Sequence, residues 1–249
     1  MLDILFSCSI APVALLLFFI YKKDSIKEPP KQLCKSYFLG VATIFPIMIL
    51  ELVVSIFISN DTTVVGSGFI LFLSVLIGIG MIEELFKWVI VRFANYNNKH
   101  FDESFDAIVY ATFVSLGFAT IENLMYVFLS FLTNPIGSLI TIVGRFVAAV
   151  PGHCFFGIIM GYYFARAKRA QVSNEKKKES LNLWLAFVIP TLLHTLYDYF
   201  LMSERITNLL LWVFLVIAFY TVGIIIVFKA SKENKIFNTS IGDGSKFQF

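Results

Sequence analysis

Long apolar runs separated by short polar stretches make up nearly the whole chain. Runs of about 20 residues, enough to cross about 30 Å of hydrocarbon as helix, fall at about 2–21, 36–59, 69–93, 106–132, 138–166, 181–202 and 207–229. They predict an all-α polytopic membrane protein of about seven transmembrane helices. The first run has Asp3 rather than a basic cluster in front of it and no small-x-small cleavage site behind it, so a retained span is expected instead of a removable signal peptide.

The polar stretches sort by charge. Lys22, Lys23, Lys27, Lys31 and Lys35 follow the first run, and Arg92 and Lys99 follow the third. Arg166, Lys168, Arg169, Lys176, Lys177 and Lys178 follow the fifth, and Lys229, Lys232, Lys235 and Lys246 follow the seventh. The alternate connections, at 60–68, 133–136 and 203–208, hold Arg205 as their only basic residue. Excess positive charge stays on the cytoplasmic side, so the N-terminus is expected outside and the C-terminus in the cytoplasm. One transmembrane domain is expected over 1–230, with its polar motifs in 69–202, followed by a polar, Gly- and Ser-containing cytoplasmic tail over 231–249 that is expected to be mobile.

Composition agrees with this layout. Hydrophobic residues are 58% of the chain and charged residues 15%, with 28 phenylalanines, where a soluble domain has about a quarter of its residues charged. A net charge of +3, spread over short loop clusters, excludes nucleic acid as a partner and leaves the bilayer as the main one. Cys8, Cys34 and Cys154 lie far apart and form no C-x-x-C pair, so no disulfide framework is expected.

Against that background, eight ionisable side chains stand at bilayer depth, where each costs about 2.5–3.5 kcal/mol on insertion scales and therefore calls for a partner or a function. In the third run Glu83 and Lys87 share a helical face one turn apart, with Glu84 about 100° round the axis and expected to point elsewhere. The fourth carries Glu122 beside Asn123. The fifth carries Arg145 and His153, eight residues apart on one face, and the sixth carries His194 and Asp198 one turn apart. An aspartate so placed can accept the imidazole N–H and raise the basicity of the other ring nitrogen.

Counted at about 1.5 Å per residue from the outer ends, Glu83, Glu84 and His153 fall about 20 Å down, Glu122 about 15 Å, His194 about 12 Å and Asp198 about 6 Å, so they cluster from near the midplane toward the outer leaflet. One shared cavity is the expected result. The four acids Glu83, Glu84, Glu122 and Asp198 outnumber Lys87 and Arg145 by two, a surplus that must be relieved by protons, water or a bound cation. Glu122, His153 and His194 make a two-His, one-carboxylate set suited to Zn²⁺, although no H-E-x-x-H helix is present; a metal-free site, with a glutamate activating water, stays equally open.

Four motifs carry a family resemblance: Glu83-Glu84-x-x-Lys87, Phe118-x-x-x-Glu122-Asn123, Arg145 followed by Pro151-Gly152-His153, and His194-x-x-x-Asp198. In order and residue type they resemble the PrsW-type intramembrane proteases, distant relatives of the type II CAAX prenyl endopeptidases. The CAAX relatives show Glu-Glu-x-x-x-Arg and Phe-x-x-x-His, whereas here Lys87 stands four after Glu83 and Ala149 precedes His153 by four. The resemblance implies a bacterial plasma-membrane peptidase that cuts a single-pass membrane protein, such as an anti-sigma factor. For such a reaction Glu83 or Glu84, with His153, is expected to activate water, His194 oriented by Asp198 to support the oxyanion or leaving amine, Glu122 and Asn123 to complete the polar cavity, and Lys87 and Arg145 to balance the carboxylates. From the residues alone, an ion-coupled transporter and a non-catalytic scaffold that binds transmembrane segments remain as alternatives.

Overall fold

The computed structural model describes residues 2–59, 68–203, 205–234 and 236–237. Seven helices among them are long and apolar enough to cross a membrane: α1 (Leu2–Lys23), α2 (Pro30–Phe57), α3 (Gly68–Asn95), α4 (Asp106–Thr133), α5 (Gly137–Val172), α6 (Lys176–Met202) and α7 (Ile206–Lys232). Each contains one of the seven expected runs or most of it. The helices overrun those runs chiefly at basic ends: α2 begins at Pro30, α5 continues to Val172 and α6 begins at Lys176. Long lysine and arginine side chains let a helix continue past the hydrocarbon edge while their charges stay in the headgroup region. The connection at 60–67 and the tail from 238 lie outside the described residues.

The two central helices are α4 and α5, each with more than half of its most apolar stretch buried, while α1, α2 and α7 bury about a fifth of theirs. Outer positions such as Phe57, Ile140 and Phe214 are at least 70% exposed, as lipid-facing side chains are. Without a hydrophobic drive between helices in lipid, close packing decides which helices pair, and small residues permit it. Gly40 of α2 and Gly117 of α4 do this reciprocally: a Cβ at Gly40 would lie 2.0 Å from the Val114 carbonyl oxygen, and one at Gly117 would lie 2.1 Å from that of Tyr37.

Prolines and wide turns aim the polar residues. Pro46 cannot donate to the carbonyl of Ala42, and α2 is interrupted at Thr43, whose hydroxyl instead bonds Gly40 O at 2.6 Å. In α5, a π-type turn over Arg145–Ala149 precedes Pro151. The Val147 carbonyl that Pro151 cannot serve accepts the Tyr220 hydroxyl of α7 at 2.7 Å. A second π-type turn, Leu76–Gly80, immediately precedes the Glu83-Glu84 pair in α3. Such a turn inserts a residue into the helical count and re-aims the side chains beyond it, which is why these turns concentrate near functional groups.

Candidate active site

The inward turn of α3 puts the Lys87 ammonium at the centre of a buried cluster. It donates to Glu84 Oε1 at 2.8 Å, to Glu83 Oε2 at 3.1 Å and to His153 Nδ1 at 3.2 Å, and it lies 4.2 Å from the centre of the Phe118 ring. Glu84 therefore does not point away from the pair. Its i,i+3 spacing to Lys87 brings it to the same ammonium that Glu83 reaches at i,i+4.

Each histidine bridges this cluster to an outer carboxylate. His153 Nε2 lies 2.9 Å from Glu122 Oε2, and His194 Nε2 lies 3.2 Å from Asp198 Oδ2, the one-turn pairing anticipated from the spacing. An ionised carboxylate can only accept, so both Nε2 atoms carry a hydrogen, and the His153 Nδ1 that meets the Lys87 ammonium is a lone pair turned inward. The Nδ1 of His194 then faces Glu84 Oε1 at 3.1 Å, acceptor against acceptor, unless a proton or a cation stands between them. Glu84 is fully buried, and among the described residues its Oε2 has no hydrogen-bond partner.

The outer carboxylate of His153 is itself pinned. Arg145 donates through its Nη2 to Glu122 Oε2 at 2.6 Å and through Nε to Asn123 Oδ1 at 2.6 Å, and it lies 4.3 Å from the Tyr126 ring centre. Asn123 in turn donates to the Ser9 carbonyl of α1 at 2.7 Å. The histidine rings meet edge to face with centres 5.2 Å apart, and Phe156 stacks on His194 at 4.7 Å. Gly80 lets α3 approach α6 at this level, since a Cβ there would lie 2.5 Å from Thr195 Oγ1.

Four groups, Glu83, Glu84, His153 and His194, present ligand atoms within 4.8 Å of one another. Glu122 lies beyond His153, on its far nitrogen. A cavity of about 820 Å³ opens onto the cluster and is lined by Glu83, Glu122, His153, His194 and Asp198, with apolar walls including Met48, Met125 and Leu201. Glu51 of α2 lines it too. It stands inside the second apolar run and meets the same criterion as the other eight ionisable residues, but no ionisable partner within a helical turn draws attention to it. With Glu51 counted, the carboxylates exceed the basic groups by three. Cys154, the neighbour of His153, is a buried free thiol facing a separate apolar cavity with Phe155 and Gly223.

Residues 28–228 match the profile described as PrsW family intramembrane metalloprotease. The chain belongs to that family. It is 38% identical over 242 residues to Protease PrsW of Oceanobacillus iheyensis, covering 96% of this chain and all of the relative. It is 37% identical to Protease PrsW of Bacillus subtilis over 86% of this chain and 87% of the relative, and 36% identical to that of Geobacillus kaustophilus over 81% of each. No solved structure gives a significant match. Family and fold together make the chain a multi-pass bacterial membrane peptidase acting on a membrane-embedded protein, and the polar cluster is the candidate active site of this PrsW protein.

A second carboxylate cluster lies away from the first, at the ends of the helices. Burial pushes the Asp24 carboxyl up to about 6 and that of Glu28 up to about 7, and raises Glu103 as well. Acids with folded pKa values above their unfolded ones bind extra protons in the folded state, so their stabilising contribution is present below about 4 and is lost as pH rises through about 6–7. Chelator-treated protein is therefore expected to show a higher thermal midpoint at about pH 5 than at about pH 8, measured by differential scanning fluorimetry in detergent.

Proposed function

We propose that this PrsW protein cleaves single-pass membrane proteins, with membrane-anchored anti-sigma factors as the substrate class, with Glu83 as the base for water and with His153, His194 and Glu84 as the residues that would hold a metal. The observation that carries this reading is the paired orientation of the histidines, each giving its Nε2 hydrogen to an outer carboxylate and turning its Nδ1 toward the others. Carboxylate–histidine pairs of this kind fix tautomers for metal ligation. The orphaned Glu84 Oε2 adds an acceptor that needs a positive partner. The donor set of two imidazoles and carboxylate oxygen suits Zn²⁺, which when bound lowers the pKa of water and polarises a carbonyl.

The remaining groups do the rest. Glu83 borders both the cluster and the cavity, and is the base that takes the water's proton and returns it to the leaving amine. Glu122 and Asp198 hold the imidazoles in register, and Arg145 and Asn123 hold Glu122. In this assignment Glu122 orients His153 and Glu84 is the carboxylate ligand, in place of the Glu122, His153 and His194 set that spacing suggested. Met48 and Leu201, both over 40% exposed, line the cavity with apolar surface, which suits lateral entry of a substrate helix from lipid. The basic loops favour an outside N-terminus and place the cavity toward the outer leaflet.

A second reading has one observation in its favour: the Lys87 ammonium occupies the space between Glu83, Glu84 and His153 and balances them without any metal. Elemental analysis of purified protein, with chelation and metal add-back, separates the two. Full activity in metal-free protein would overturn the metal assignment. The substrate assignment is tested by comparing membrane proteomes of cells carrying wild-type or Glu84→Gln protein. Single-pass proteins should accumulate uncut only in the variant.

Because Glu122 acts through His153, Glu122→Gln is expected to weaken metal binding or activity by about 10–100-fold without abolishing either. Zinc titration monitored by recovered proteolysis checks this. An unchanged midpoint would remove Glu122 from the site.

A further inference from the structure

The second carboxylate cluster joins segments that are distant in sequence. Asp24 and Glu28 come from the α1–α2 connection, Glu103 from the α3–α4 connection, and Asp106 from the first turn of α4. All four residues are at most 4% exposed. Carboxylate oxygens of Asp24, Glu103 and Asp106 lie within 4.8 Å of one another. Asp106 is 16 residues before Glu122 on the same helix, about 24 Å at 1.5 Å per residue, so this cluster is separate from the active site.

Its internal hydrogen bonds leave acceptors over. Asp106 Oδ2 accepts the backbone N–H groups of Asp102 and Glu103 at 3.0 and 2.6 Å. Glu28 accepts the Tyr110 hydroxyl, and Glu103 accepts the Asn234 amide. Yet among the described residues Asp106 Oδ1 and both carboxylate oxygens of Asp24 are buried with no partner at hydrogen-bond geometry. The Lys27 ammonium is turned to the main-chain carbonyls of Tyr21 and Asp24. The positive end of α4 can favour one carboxylate by about 0.3–1 kcal/mol, which is too little for a group of four. Buried carboxylates without partners are relieved by protons or by a cation, and where a cation does so an all-oxygen donor set without sulfur or imidazole selects a hard one.

We infer that Asp24, Glu103 and Asp106, with Glu28 beside them, form a binding site for a hard divalent cation, Mg²⁺ or Ca²⁺, that fastens the segment after α7 to the loops on the basic face of the bundle. The end of α7 and the residues after it already sit there. Ser231 donates to Lys23 O at 2.6 Å, Asn234 also reaches Ser25 Oγ at 3.0 Å, and the Phe237 N–H bonds Asp102 O at 2.5 Å with its ring buried against Phe101. A cation on Glu103 and Asp106 locks the surface on which Asn234 and Phe237 rest. Residues 231–234 and 236–237, the described part of the chain from Ser231 on, pack onto the bundle.

Tb³⁺ tests the site, because tyrosine sensitises its luminescence and Tyr110 is bonded to Glu28. The full-length protein, in detergent and stripped with chelator, is titrated with Tb³⁺ alone. Saturable luminescence is expected, displaced by Ca²⁺ in one arm or by Mg²⁺ in another, and the arm that succeeds identifies the ion. Asp24→Asn should weaken Tb³⁺ binding by about tenfold or more, since ligand charge count sets affinity at such sites. A combined His153→Ala and His194→Ala protein should bind as wild type does. Glu103→Gln serves as the second variant if Asp24→Asn does not yield a monodisperse protein. Absence of saturable binding, unaltered binding in both acidic-site variants, loss of the signal in the double histidine variant, or failure of millimolar Ca²⁺ and Mg²⁺ to compete would each overturn the inference.

Discussion

A His153→Ala protein, inserted at the wild-type level, is expected to lose about 10³-fold or more in kcat/KM and to purify with little bound zinc. The magnitude comes from two losses at once. The inward Nδ1 is removed from the ligand set, and the Nε2 link to Glu122 goes with it. A factor of 10³ corresponds to about 4 kcal/mol of transition-state stabilisation, within reach of a lost metal ligand. The fold should survive the change. Glu122 keeps Arg145 as its partner, Lys87 keeps Glu83 and Glu84, and the bond from Ser115 Oγ goes to the His153 main-chain carbonyl at 2.6 Å. Cleavage of a transmembrane substrate in proteoliposomes, with zinc measured on the same preparation, checks both halves. Wild-type turnover in this variant would remove His153 from the chemistry.

The fold was more legible in the sequence than the site. Apolar run length alone located all seven helices, because the hydrocarbon thickness imposes a minimum length that few other structures need. Pairings inside one helix were equally accessible: Glu83 with Lys87 and His194 with Asp198 follow from the helical repeat. Pairings between helices were not. That His194 meets Glu84, that His153 reaches Lys87, and that Arg145 takes both Glu122 and Asn123 depend on how each helix is rotated. That rotation is set by the π-type turns before Glu83 and His153 and by contacts at Gly40, Gly80 and Gly117, none of which a hydropathy pattern encodes. Glu51 has no ionisable partner within a helical turn, and the acidic group of Asp24, Glu28, Glu103 and Asp106 straddles connections where charge ordinarily reads as solvation. The group is nonetheless buried, and Asn234 and Phe237 beyond α7 pack beside it on Glu103 and Asp102.

The role of Lys87 gives the sharpest separation between the two accounts of the active site. Lys87→Met removes an ammonium that contacts Glu83, Glu84 and His153 and leaves two buried carboxylates without their cation. Breaking a buried pair in this way costs about 3–5 kcal/mol, which for a chain of this size lowers the thermal midpoint by about 10 °C. That drop is expected in metal-depleted protein under either account. They diverge when zinc is added. Lys87 and a metal would draw on the same Glu84 oxygen and the same His153 nitrogen, so removing the ammonium relieves a competitor. The variant should then bind zinc more tightly than the wild type and regain most of its lost midpoint, since a ligand that binds only the folded state stabilises it by mass action. If instead Lys87 is the permanent counter-ion of a metal-free glutamate site, zinc restores nothing and the Lys87→Met protein stays destabilised and inactive. Thermal midpoints of both proteins across a zinc titration therefore decide whether the positive charge among Glu83, Glu84 and the two histidines belongs to a side chain or to a metal.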